Sequence, residues 1–76
     1  MHSPAPTLFV EVILPLAISG SYTYRVPENL REQIGIGKRV VVQFGKTRTY
    51  AAIIKEIHSN PPKLYEAKYI ISVIDQ

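Results

Sequence analysis

Seventy-six residues allow one domain, near the lower size at which a single apolar core sustains itself, and a hydrophobic share of 46% argues against a disordered chain. The absence of cysteine excludes a disulfide scaffold, a thiolate zinc site and a cysteine nucleophile together. The net charge of +3 is mild but uneven: Lys38, Arg39, Lys46, Arg48, Lys55, Lys63 and Lys68 all follow residue 37. That pattern fits a modest footprint for a polyanion, though composition alone fits an ordinary solvated surface slightly better.

Met1 to Pro6 carries two prolines and no basic stretch ahead of an apolar run, so residues 1–6 read as a disordered leader and not as a signal peptide. No run of about 18 apolar residues is present to span a bilayer, and a cytoplasmic chain without a membrane partner is expected. From Thr7 to Leu16, TLFVEVILPL is rich in branched and aromatic residues. Leu8, Val10, Val12 and Leu14 share one face of a predicted strand, Phe9, Glu11 and Ile13 the other, and Pro15 closes it. Ser19-Gly20-Ser21 is a turn. Residues 22–26 alternate, with Tyr22, Tyr24 and Val26 opposite Thr23 and Arg25.

Pro27 to Ile34 is the one helical candidate, two turns at best: Pro27 suits a first helical position, Leu30 and Ile34 pair at i,i+4, and Gly35 supplies a stop. Lys38 to Phe44 returns to strand, with Val40, Val42 and Phe44 on one face against Arg39, Val41 and Gln43. Gly45-Lys46-Thr47-Arg48 is a hairpin-like connection. Thr49 to Ile57 is a fourth strand with two largely apolar faces, Ala51/Ile53/Ile57 and Tyr50/Ala52/Ile54, which places it centrally in a sheet. After the rigid loop Ser59-Asn60-Pro61-Pro62, Tyr69 to Ile74 is a fifth strand. The fold class is thus mainly β, a small five-stranded antiparallel barrel or curved sheet with one short helical turn. Because the last strand runs almost to the terminus, residues 7–76 read as a single domain excised from a longer chain.

Most motifs have a plain structural reading. Gly45-Lys46-Thr47 resembles the end of a phosphate-binding loop, but Val40 stands where that loop needs its first glycine, and a strand follows where it needs a helix. Gly35-Ile36-Gly37 lacks the third glycine of a dinucleotide fingerprint. His2 and His58 have no partner at metal-ligand spacing. Asp75 is the only aspartate, and no Ser/His/Asp arrangement is evident, so an enzyme is not expected. Tyr22 and Tyr24 are either a platform on which unpaired bases stack or a half-buried core stripe. Both readings hold if Tyr24 packs inward and Tyr22 lies at the rim.

Taken in order, VILPL at 12–16, YTYRVP at 22–27, the glycine and KRVVVQFGK within 37–46, and AKYIISVID at 67–75 resemble the N-terminal 3′ DNA-binding domain of primosomal protein N′, a replication-restart helicase. The likeness runs from Val10 to Asp75. It implies capture of the 3′-terminal nucleotide of a nascent leading strand at a stalled fork. Tyr22 would flank or stack on the terminal base, with Thr23 within reach of it. Gly45 would admit close backbone approach, Lys68 would close the pocket beside sugar and phosphate, and Lys46 would contact the DNA backbone. The family often carries aspartate where this chain has Thr23. The resemblance further implies no cofactor in this segment, with ATP, magnesium and zinc confined to the rest of the helicase. It implies DNA, the remaining helicase domains in cis and other primosome proteins as partners. The competing expectation is a small β-barrel for protein interaction, with Tyr22, Tyr24 and Tyr50 as an aromatic groove, or a docking domain without DNA contact.

Overall fold

A computed structural model describes residues 6–74; the expected leader, with His2, lies outside that range apart from Pro6, as does Asp75. Strands β1 (Leu8–Ile13), β2 (Tyr22–Val26), β3 (Arg39–Phe44), β4 (Arg48–His58) and β5 (Ser72–Ile74) form one antiparallel sheet in the order β2-β1-β4-β3-β5. The sheet is strongly curved and does not close into a barrel ladder. β4 is central, as expected from its apolar composition.

The period-two pattern selects the buried face. Val10 and Val12 of β1, Tyr24 and Val26 of β2, Val40 and Val42 of β3, and Ala52 and Ile54 of β4 meet in one cluster, sealed by Leu14 and Ile70. Each buried branched side chain contributes about 1.5–3 kcal/mol, so this one layer supplies most of the drive to fold. The opposite face has a different cover. Phe9, assigned by alternation to the outer face, is nonetheless buried: the Arg25 guanidinium lies 5.3 Å from its ring centroid, and the His58 ring stacks at 6.1 Å.

Four sequence expectations need correction. The segment after Pro27 forms only a 3₁₀ turn at Glu28–Leu30, followed by further turn residues. Leu30 and Ile34 still pack against the core, but so short a stretch cannot offset the cost of nucleating an α-helix. Ile57 does not share a face with Ala51 and Ile53. Opposite Glu11 and Val12 the register of β4 jumps from Glu56 to Ile54, which leaves Lys55 as the extra residue of a bulge, and Ile57 then faces Val10 and the core. The outer face of β4 is not buried either: Ile53 and its β1 partner Ile13 are both nearly half exposed. Finally, β5 is three residues long, because the chain ahead of it serves a different strand. Arg25 donates to the Lys68 carbonyl at 2.7 Å and accepts from the Ile70 amide at 2.9 Å, in a parallel bridge between Arg25 and Tyr69. Ile71 then crosses to donate to Val41 at 2.7 Å.

Tyr24 sits in the core at 5% exposure, and its hydroxyl donates to the Gln43 carbonyl at 2.7 Å. Replacing it with alanine is expected to cost about 3–5 kcal/mol, the range for truncating a buried aromatic. Urea unfolding followed by circular dichroism measures this, and a loss under about 1 kcal/mol would place Tyr24 at the rim.

Candidate nucleic-acid interface

A sheet that curves without closing leaves a notch where its two ends approach. β2 is an edge strand, the turn after β3 projects toward it, and the chain from Tyr65 to Lys68 runs alongside. These three segments enclose a cavity of about 210 Å³ that opens to solvent. Its walls are aromatic on the strand side, where Tyr22 packs edge-on against Phe44 with ring centroids 5.1 Å apart. The turn is held from within: the Gln43 side-chain amide donates to the carbonyls of Gly45 at 3.3 Å and Lys46 at 2.8 Å. Gly45 adopts a φ of +80°, a left-handed conformation that glycine takes without strain, and a Cβ there would meet no atom within 4 Å. The requirement for glycine is therefore conformational.

Of the residues singled out in the sequence, Tyr22, Thr23, Gly45 and Lys68 all line this cavity. Lys68 spans it, its ammonium donating to the Gly45 carbonyl at 3.3 Å, and among the described residues no carboxylate pairs with it. Lys46 is exposed on the same turn but is not one of the cavity walls. Thr23 has both its hydroxyl and its backbone N–H engaged within the domain. Its hydroxyl donates to Glu11 at 2.5 Å, and its backbone N–H faces away from β1 and donates to the Tyr65 hydroxyl at 3.2 Å. Tyr22, Tyr24 and Tyr50 do not make an open groove: Tyr24 is buried, and Phe44 stands between the other two. Burial pushes the Tyr24 phenol above its ordinary value, with the nearby Tyr65 and Tyr22 adding to the shift, so it remains a protonated donor to Gln43.

An aromatic wall, an unpaired ammonium and an open glycine turn in one small notch suit the end of a single strand: a base face to stack, a sugar to enclose, a phosphate to neutralise. The sequence model of the PriA 3′ DNA-binding domain (3′BD) matches residues 11–76. The chain belongs to that family. Its members are the 3′ DNA-end-binding domains of PriA, so the chain is a DNA-binding domain that serves replication restart and the primosome. No curated protein and no solved structure matches the chain. Among the described residues of this 3′BD, no cluster of His, Cys, Asp and Glu is placed to hold a metal ion, and no helix is long and apolar enough to cross a membrane.

Several residues of the 3′BD site were not legible as such. Phe44 read as a strand-end core residue, and Tyr65 and Glu66 fell in a stretch between loop and strand that carries no periodic signal. Glu11 read as one polar residue on an outer face. In the fold it organises that face beside the cavity: its carboxylate accepts from Thr23, from His58 Nε2 at 2.8 Å and from Ser21 at 3.2 Å. His58 Nδ1 accepts from the Asn60 amide at 3.0 Å, so Nε2 carries the proton given to Glu11. Burial pushes the Glu11 carboxyl up, but the bonds from Thr23, His58 and Ser21 outweigh it and hold the group below its ordinary value of 4.5.

A depressed folded-state pKa contributes stability that is fully present above the unfolded value and is lost as pH falls through the folded one. The wild-type 3′BD is therefore expected to lose stability below about pH 5 more steeply than Glu11→Gln, which is itself about 1–3 kcal/mol weaker near neutrality. Thermal melting across the acid range tests this; parallel curves would show that the Glu11 carboxylate carries no such linkage.

Proposed function

We propose that this domain captures the free 3′-hydroxyl end of a nascent leading strand at a stalled replication fork, as the recognition module of a longer replication-restart helicase. The observation that carries the proposal is the convergence of Tyr22, Gly45 and Lys68 on one small cavity, from three separate parts of the chain. Tyr22 offers a ring to the terminal base, a contact worth roughly 1–3 kcal/mol. Gly45 lets the sugar approach the turn. Lys68, already held across the cavity by the Gly45 carbonyl, faces the terminal phosphodiester. Lys46, outside the cavity on the same turn, meets the strand as it leaves. Thr23 supplies its backbone amide, since its hydroxyl is committed to Glu11.

ATP hydrolysis, with its magnesium, and any zinc site belong to the remainder of the helicase, whose domains act in cis with this one and with other primosome proteins in the cytoplasm. Few cations surround the cavity, so affinity is set by the fit of the end more than by charge. The log–log salt slope of binding is accordingly shallow, roughly −1 to −3. A second reading, a docking domain without DNA contact, draws on the exposed Ile13–Ile53 pair on the outer face.

The test is a fluorescence-anisotropy titration with matched single strands ending in 3′-hydroxyl or 3′-phosphate, at fixed salt. The phosphate adds bulk and up to two charges that must be desolvated in a space formed for a hydroxyl, so the hydroxyl end is expected to bind at least about tenfold more tightly. Lys68→Ala should weaken binding of the hydroxyl end with little change in melting, because Lys68 is exposed. A purely electrostatic basic patch would bind the phosphate end more tightly, since it carries more charge; equal or tighter phosphate binding contradicts end recognition. Binding of neither strand favours the docking domain.

A further inference from the structure

We infer that Tyr65 is a displaceable wall of this cavity: its hydroxyl competes with the DNA end for the Thr23 backbone N–H, and its ring then serves as a further stacking surface. The inference rests on the end-binding function proposed above.

β2 is an edge strand, so alternate residues turn their backbone groups away from β1. Arg25 and Thr23 are two such residues, facing Phe9 and Glu11 across β1. The outward amide of Arg25 is committed to the Lys68 carbonyl at 2.7 Å, flanked by buried Ala67 and Ile70. Two residues earlier the covering chain no longer offers a backbone acceptor, and the outward amide of Thr23 finds the Tyr65 hydroxyl at 3.2 Å. The two bonds differ in kind. The first is short and belongs to the core seam. The second is long and solvent-exposed, and its acceptor sits on a half-exposed side chain in a segment without regular structure.

Tyr65 also has somewhere to go. It lines the cavity and equally a neighbouring hollow of about 390 Å³ bounded by Arg25, Pro62 and Lys63. Tyr65 thus borders both spaces. Every nucleobase carries acceptor atoms on its edge, so any terminal base entering the cavity can satisfy the Thr23 N–H in place of the phenol. Exchange of one neutral hydrogen bond for another is nearly balanced, and the freed ring keeps its face for the base. The hydroxyl opposes entry and the ring rewards it, so removing them one at a time should move affinity in opposite directions.

The experiment compares wild type, Tyr65→Phe and Tyr65→Ala in anisotropy titrations with a 3′-hydroxyl single strand, together with hydrogen exchange of the Thr23 amide in the free domain. Tyr65→Phe is expected to bind about two- to fivefold more tightly and to exchange the Thr23 amide faster. Tyr65→Ala is expected to bind about fivefold or more weakly. Both should melt close to wild type, since the side chain is half exposed. A Phe variant no tighter than wild type, or an Ala variant equal to it, overturns the inference. If wild type prefers a 3′-hydroxyl to a 3′-phosphate while the Tyr65 variants bind as it does, the inference alone fails. If wild type shows no such preference, the end-binding function fails and takes this inference with it.

Discussion

The two outward backbone groups of Arg25, one donating to Lys68 and the other accepting from Ile70, hold the chain ahead of β5 against the free edge of β2. A five-stranded sheet this small has one buried face, and its edge strands are exposed to pairing with other chains. Covering β2 with the segment from Ala67 to Ile70 removes one of those edges and seals the core with Ile70. It also bends the sheet, because the same chain must reach Val41 one residue later. The notch at the open end follows from that geometry. Lys68 faces the Gly45 turn, and Tyr65 faces the amide of Thr23, because the seam at Arg25 fixes the residues between them.

The two faces of the sheet divide the work. On the inner face, branched side chains and Tyr24 make the domain stable, and the Tyr24 hydroxyl ties that core to the strand end from which Gln43 braces the turn. On the outer face, Glu11 gathers Ser21, Thr23 and His58 into a polar cluster while Arg25 and His58 cover Phe9. The Arg25 guanidinium also lies 5.6 Å from the Tyr69 ring centroid, so one side chain bridges the seam on both sides. With the Thr23 hydroxyl turned toward Glu11, the cavity is lined by Tyr22, Phe44 and Tyr65, the Gly45 turn with Gln43, and the oppositely charged Glu66 and Lys68. Such a surface suits recognition of an end by its shape more than by its sequence.

The elements with a clean alternating period were legible in the sequence: β2, β3 and the central place of β4 follow from Tyr22–Val26, Val40–Phe44 and the apolar run around Ala52. Features set by non-local pairing were not. The bulge at Lys55 depends on how β1 meets β4, and no local pattern announces that Ile57 turns inward. The burial of Phe9 depends on Arg25 and His58, which lie far along the chain. The shortness of β5 reflects a competition for residues 68–70 that β2 wins. At the site, the residues on regular strands and at the glycine turn could be picked out by chemistry and resemblance. Tyr65 could not, because it lies in an aperiodic stretch whose position is set wholly by the seam at Arg25.

The most direct measurement of the central claim, that this notch receives a DNA 3′ end, is amide shift mapping of the ¹⁵N-labelled domain titrated with a short 3′-hydroxyl single strand. Shifts are expected to concentrate at Tyr22, Thr23, Gly45, Tyr65 and Lys68, with Ile13, Ala51 and Ile53 on the outer face unmoved. Shifts centred on that outer face, or spread evenly over the exposed lysines, would contradict it.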